Sequence, residues 1–139
     1  MRVATTLLAL VVGVGLAGPA GAEHEVYYRY TVLGYVIDAK GFPIAGRSVA
    51  LVREKTGLSY TAATDDAGLY VVVARLGDET LGETLHLTIG DVRMHVIVRF
   101  DTTNHTDERG TRVDLDGGRV RERASLFRST LARVVAPAR

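Results

Sequence analysis

The 139-residue chain contains no cysteine. Disulfides, thiol nucleophiles and thiolate metal sites are excluded at once, as is a lipid anchor on a cysteine. Tryptophan is absent too, which thins any case for stacking on sugars. Beyond its first stretch the chain has no apolar run near the roughly 20 residues that a bilayer-crossing helix needs. Three catalytic signatures are missing: a Gly-x-Ser-x-Gly elbow, a His-Glu-x-x-His pair and a phosphate loop. Serine, histidine and aspartate all occur, but no spacing assembles them.

What is present begins with Met1-Arg2, a short positive start. Residues 3–17 are apolar or small, and "GPAGA" ends at Ala22 with small residues one and three places before the cut. This predicts a secretory signal peptide over 1–22, cleaved before Glu23. An uncleaved N-terminal anchor is the rival reading. The remainder, 23–139, suffices for one modest core, and no membrane span is expected in it. An exported chain without disulfides suits the bacterial periplasm or cell exterior better than a eukaryotic secretory route. "NHT" at Asn104 matches a glycosylation acceptor and is read as chance.

Charge is polarised along the chain. Residues 23–118 hold 10 Lys+Arg against 15 Asp+Glu, whereas 119–139 hold six arginines against Glu122 alone. The acidic body argues against a nucleic-acid-binding face, and the basic end reads as a distinct tail.

Seven strands are expected: 27–37, 48–54, 58–64, 69–75, 83–89, 92–100 and 111–115. Each is rich in β-branched or aromatic residues and bounded by turn signals. The pair around Gly90-Asp91 can be set in register. A two-residue loop starting with Gly suits a type II′ turn, which pairs Ile89 with Val92, Leu87 with Met94 and Leu85 with Val96. Val98 and Phe100 extend that apolar face. The other face carries His86, Thr88, Arg93, His95 and Arg99, with Ile97 the exception. Alternation this clean means one core face and one wet face. The pattern predicts an all-β fold, a seven-stranded antiparallel Greek-key β-sandwich, with a small barrel as alternative. In the tail, Val120, Ala124, Phe127, Leu131, Val134 and Val135 recur at helical spacing. A basic amphipathic helix over 121–135, ended by Pro137, is expected. Its stripe could pack on the sandwich, dock on a protein or lie on anionic lipid. Arg121, Phe127, Arg128 and Leu131 are the candidate partner-binding residues.

The stretch 23–118 resembles the carboxypeptidase regulatory-like domain of the transthyretin-like sandwich group. The resemblance rests on "VLGYVIDAKGFPIAGRSVALV" and "TDDAGLYVV": Gly34, Val36 and Asp38 at a strand end, Gly41 and Pro43 in the turn, Gly46 before the next strand, then Thr64, Asp65, Gly68 and Tyr70. It implies a seven-stranded sandwich that serves as an accessory module without catalysis, and it does not cover the tail. Residue by residue the same positions read as scaffold. Gly34 marks a bulge or close packing. Asp38 and Asp65 accept backbone N–H groups in their turns. Gly41, Gly46 and Gly68 take angles other residues resist. Tyr70 lies under the sheet with its hydroxyl on a backbone partner. A calcium role for Asp65-Asp66 lacks the six to eight oxygens such a site takes.

The same group includes 5-hydroxyisourate hydrolases, whose opening motif is His-Val-Leu-Asp and whose terminal motif is Tyr-Arg-Gly-Ser. Here "YVID" puts Tyr35 at the histidine position, and the last residues read "VVAPAR". Tyrosine, with an ordinary pKa of about 10, is a poor general base at neutral pH. No catalytic residue and no cofactor is therefore expected. Two ligand readings remain. In the derived register His86 faces His95, and two imidazoles so placed could share Zn²⁺ or Cu²⁺ if His24 or His105 completed the set. Tyr28 and Tyr30 on one strand face, with Tyr27 and Tyr35 on the other, suggest a glycan surface. The leading expectation is an exported, non-catalytic module acting through a protein partner, by its tail helix and an open sheet edge.

Overall fold

Gly90 has φ 61°, and no non-glycine residue among those described has positive φ, so Asp91 does not. Those signs suit the expected type II′ turn rather than a type I′ turn. The hairpin it closes has the derived register, with Ile89 opposite Val92, Leu87 opposite Met94 and His86 opposite His95. This hairpin is half of one sheet in a computed structural model that describes residues 25–136. The expected signal peptide, His24 and Pro137 lie outside the described residues.

Among the described residues eight strands form: β1 Arg29–Ile37, β2 Ser48–Arg53, β3 Ser59–Ala63, β4 Leu69–Arg75, β5 Thr84–Ile89, β6 Val92–Ile97, β7 Gly110–Asp116 and β8 Arg119–Glu122. The first sheet runs β4-β1-β7-β8 and the second β3-β2-β5-β6. Alternate residues of both meet in one apolar core, with Tyr30, Val32, Val36, Tyr70 and Val72 from the first and Val49, Leu51, Leu85, Leu87 and Val96 from the second. The fold is thus all-β, two sheets face to face, followed by one short helix, α1 Phe127–Val135. No helix among the described residues is long and apolar enough to cross a membrane.

Three expectations change. The strand count is eight, not seven, because Gly117 and Gly118 both have positive φ (56° and 84°) and close a two-residue turn. That turn sets Leu115 against Val120 and Asp116 against Arg119. Val120 therefore obeys a period of two and packs on the core; it is no member of a helical stripe. The first sheet is not wholly antiparallel, since β1 and β7 run parallel. The helix starts at Phe127, not 121, after a 3-10 turn over Ala124–Leu126. The tail is thus continuous with the sandwich that was expected to end at 118. Its Phe127 is 3% exposed, and the ring sits where a Cβ on Gly110 would be. Burying that ring contributes roughly 1.5–3 kcal/mol.

One node joins three strands of the first sheet. β1 lies between β4 and β7, and Tyr70 pairs with Gly34. The Tyr70 side chain crosses β1 at Gly34 and donates its hydroxyl to the Val113 carbonyl, 2.6 Å away. A Cβ on Gly34 would overlap that same oxygen. The β1–β7 pairing skips Gly34 and Tyr35, and the Tyr35 N–H goes instead to Asp114 Oδ1 at 2.9 Å. Burial, with Asp114 nearby, pushes the Tyr70 hydroxyl far above its usual range, so it stays a donor at every working pH.

Tyr70→Phe leaves the buried Val113 carbonyl without its hydroxyl donor and should cost about 1–3 kcal/mol. Gly34→Ala forces the strands apart and should cost more, with no soluble folded protein as the extreme. Thermal unfolding followed by circular dichroism measures both; a Gly34→Ala melting curve equal to that of the unaltered protein would refute the crossing.

Candidate functional site

The residues carrying the family resemblance are held in backbone work. Asp38 Oδ1 accepts the N–H groups of Lys40 and Phe42, and Asp65 Oδ1 those of Ala67 and Leu69. Gly41, Gly46 and Gly68 have φ of 86°, 69° and 76°, and Pro43 bridges to Ile37. A Cβ on Gly68 would press on Val36 and Pro43. These positions form turns, not a pocket. The pocket beside Tyr35 holds 100 Å³ and is lined by Arg112, Asp114 and Arg123.

On the wet face of the second sheet the two histidines do meet. The rings of His86 and His95 lie 4.6 Å apart between centroids, edge to face. His86 Nε2 also lies 3.5 Å from Glu54 Oε1. His105 does not join them: it stacks on Tyr27 at 4.5 Å and sits 3.3 Å from Asp78 Oδ2. Among the described residues no group of three or more His, Asp or Glu could hold a metal. Two imidazoles alone fall short of the usual three or four zinc ligands.

The tyrosine face expected for sugars is not assembled. Tyr30 is 1% exposed and belongs to the core. Tyr27 and Tyr28 leave the strand pattern because the Tyr28 N–H bonds to the Glu25 carbonyl and closes a 3-10 turn.

Between the free edges of β6 and β8 lies a polar cleft of 180 Å³, lined by Tyr30, His95, Arg99, Thr111 and Glu122. It shares Arg99, Gly110 and Ala124 with a 360 Å³ cavity under the 101–110 loop. Burial, with Glu122 nearby, pushes the Tyr30 hydroxyl up to about 12, so it is no base at neutral pH. Thr111 donates to Glu122. Among the described residues no serine, threonine or tyrosine hydroxyl donates to a histidine, so no pair of the serine–histidine kind is assembled. Arg109, in the cavity wall, is a tie that periodicity could not reveal. Its guanidinium lies 4.0 Å over Phe100 and donates to Asp78, to the Tyr27 carbonyl and to the Asn104 carbonyl. It pins the loop to the start of the sandwich.

The outer face of the first sheet differs. Leu33 and Thr31, outward by alternation, are buried too. Beside them runs an apolar groove of 310 Å³, lined by Thr31, Val71, Val73, Leu131 and Val135. The Arg29–Glu108 ion pair, 2.6 Å, stands at its rim. Val73 is 44% and Val135 69% exposed. Of the candidate partner residues, Leu131 lines this groove, Arg121 and Arg128 are exposed, and Phe127 is buried and offers nothing to a partner. Arg128 reaches Asp107 at 3.3 Å.

No family model matches the chain, and no curated protein matches it. Among solved structures, catechol 1,2-dioxygenase from Acinetobacter sp. ADP1 is 12% identical, with TM-score 0.42, over 62% of this chain and 43% of that one. A 3-chlorocatechol 1,2-dioxygenase from Rhodococcus opacus 1CP is 14% identical, with TM-score 0.41, over 67% and 56%. The chain spans little more than half of either protein at most, and no activity or ligand passes to it from likenesses of this size.

Two measurements follow. Arg109 holds the Asp78 carboxyl below its usual value, Arg53 does the same for Glu83, and Thr103 for Asp101. Depressed folded values mean stability that is complete above the ordinary carboxylate pKa of about 4 and lost as pH falls through the lower folded values. The melting temperature should hold from neutral pH to about 5 and drop below about 4, less steeply in Asp78→Asn. Calorimetric titration of metal-free protein with Zn²⁺ or Cu²⁺ should give only dilution heat; a saturating site removed by His95→Ala would overturn this.

Proposed function

We propose that this chain is an exported, non-catalytic accessory module of the carboxypeptidase regulatory-like, transthyretin-like type, with Greek-key connections, acting by protein–protein contact in the bacterial periplasm or outside the cell. The turn residues that carry the resemblance support the family reading, since each does scaffold work. Support for a non-enzyme comes from Tyr35 at the hydrolase histidine position. The single observation that carries the contact reading is the apolar groove between β4 and α1. Exposed apolar patches beside an unpaired strand edge are where partners dock.

The tail enters this reading in a changed role. Rather than reaching out, it supplies one wall of the groove through Leu131 and Val135. A second reading, a metal-binding module, draws on the His86–His95 approach alone.

Capture from the native exported fraction tests the proposal. Protein immobilised through its acidic body should retain a partner that Val73→Glu loses, with an unchanged melting temperature. Equal capture by both proteins would move the contact away from the groove and remove the basis of the proposal.

A further inference from the structure

A buried donor without a partner is costly unless something supplies an acceptor. Among the described residues one side-chain atom is in that position, Nε of Arg109. The side chain is only 3% exposed. Its other nitrogens are engaged: Nη1 donates to Asp78 Oδ1 at 2.7 Å and to the Tyr27 carbonyl at 3.1 Å, and Nη2 donates to the Asn104 carbonyl at 3.1 Å. In the planar guanidinium fork Nε–H shares an edge with Nη2. That edge faces the 101–110 loop. Under the loop lies the 360 Å³ cavity, and Arg109 is part of its wall.

The other charged groups of this cavity are unequally occupied. Glu108 is taken by Arg29 at 2.6 Å, and Asp107 by the Asn104 amide at 2.8 Å and by Arg128 at 3.3 Å. Asp101 Oδ1 accepts the N–H and the hydroxyl of Thr103. Arg99, exposed and lining both the cavity and the cleft between β6 and β8, enters no ion pair among the described residues. The open groups are therefore guanidinium donors, and they call for an acceptor. Ala124 and Phe127 give the same cavity an apolar side. Its 360 Å³ falls at the lower end of the roughly 300–1,000 Å³ of small-ligand sites.

We infer that this cavity binds a small monocarboxylate with an apolar body, its headgroup on Arg109 Nε–H and the Arg99 guanidinium and its body against Ala124 and Phe127. Two oxygens in one plane suit guanidinium donors. A phosphate, with more charge, suits the site less, because Asp101, Asp107 and Glu108 stand in the same wall. The site goes beyond the contact reading and does not depend on it.

Hexanoate, with hexanamide as its uncharged counterpart, tests this on the purified protein. Titration followed by NMR should move the Arg109 Nε–H resonance saturably with hexanoate and leave it in place with hexanamide. Arg109 itself ties the loop to Asp78 and Tyr27, so the variants spare it. Arg99→Ala should weaken hexanoate by about tenfold or more, the usual contribution of a hydrogen bond to a charged group. Ala124→Leu, which fills part of the cavity, should abolish binding. Both positions are exposed, and neither change should move the melting temperature. No saturable shift, or an equal shift from hexanamide, overturns the inference. So does hexanoate binding indifferent to both variants, or inorganic phosphate moving the resonance where hexanoate does not. A bound water on that proton that hexanoate fails to displace overturns it as well.

Discussion

A strand with a side chain at position 34 could not sit in this sheet. Gly34 leaves the space through which Tyr70 reaches over β1 to the Val113 carbonyl, and that bond ties β4 to β7 across the strand between them. Parallel pairing of β1 and β7 is interrupted at this point, so the freed groups need partners. The Val113 carbonyl takes the tyrosine hydroxyl, and the Tyr35 N–H takes Asp114. Asp114 then becomes a nearly buried carboxylate and needs cations. Arg112 at 3.0 Å and Arg123 at 3.3 Å supply them.

From that carboxylate the role of the tail follows. Arg112 also donates to Thr130 Oγ1 on α1, and Thr130 donates to the Leu126 carbonyl. Arg123 stands between β8 and the helix. The polar cluster and the Phe127 ring on Gly110 together hold α1 against the outer face of the first sheet. The basic end of the chain is thereby drawn onto an acidic body, which gives the charge polarity of the sequence a structural meaning: part of it is satisfied within the molecule.

What the residues disclosed in advance was whatever repeats. The β5–β6 register, the turn aspartates and the positive-φ glycines each rest on a local rule, and each appears in place. The sites that escaped reading lie where two periods overlap or where contact is long-range. Val120 stands four residues before Ala124 and seven before Phe127, so it fits a helical stripe. It also stands two residues past Gly117-Gly118, a pair that could have announced a hairpin. The double glycine was the stronger signal, because positive φ at two successive residues leaves the chain little choice but to turn back. Arg109 and Arg112 gave no warning. By alternation a charged residue on a short strand reads as wet, and only the tail, remote in sequence, makes Arg112 part-buried. The groove was out of reach for the same reason, since one wall is β4 and the other is α1.

The surroundings of Tyr35 bear on function through the same network. In the hydrolases that the opening motif resembles, this position holds histidine, a group that must be free to take a proton. Here its ring lies 5.1 Å from the Arg112 guanidinium, and its N–H is bound to Asp114. Arg112, Asp114 and Arg123 line the small pocket beside it, and each is engaged in holding β1, β7 and α1 together. Those ion pairs and hydrogen bonds flank the place where the β1–β7 ladder is interrupted at Gly34. A structural network and a catalytic one make opposite demands on the same residues. The node at Gly34 makes the structural demand, and it keeps Arg112, Asp114 and Arg123 on one another and on α1.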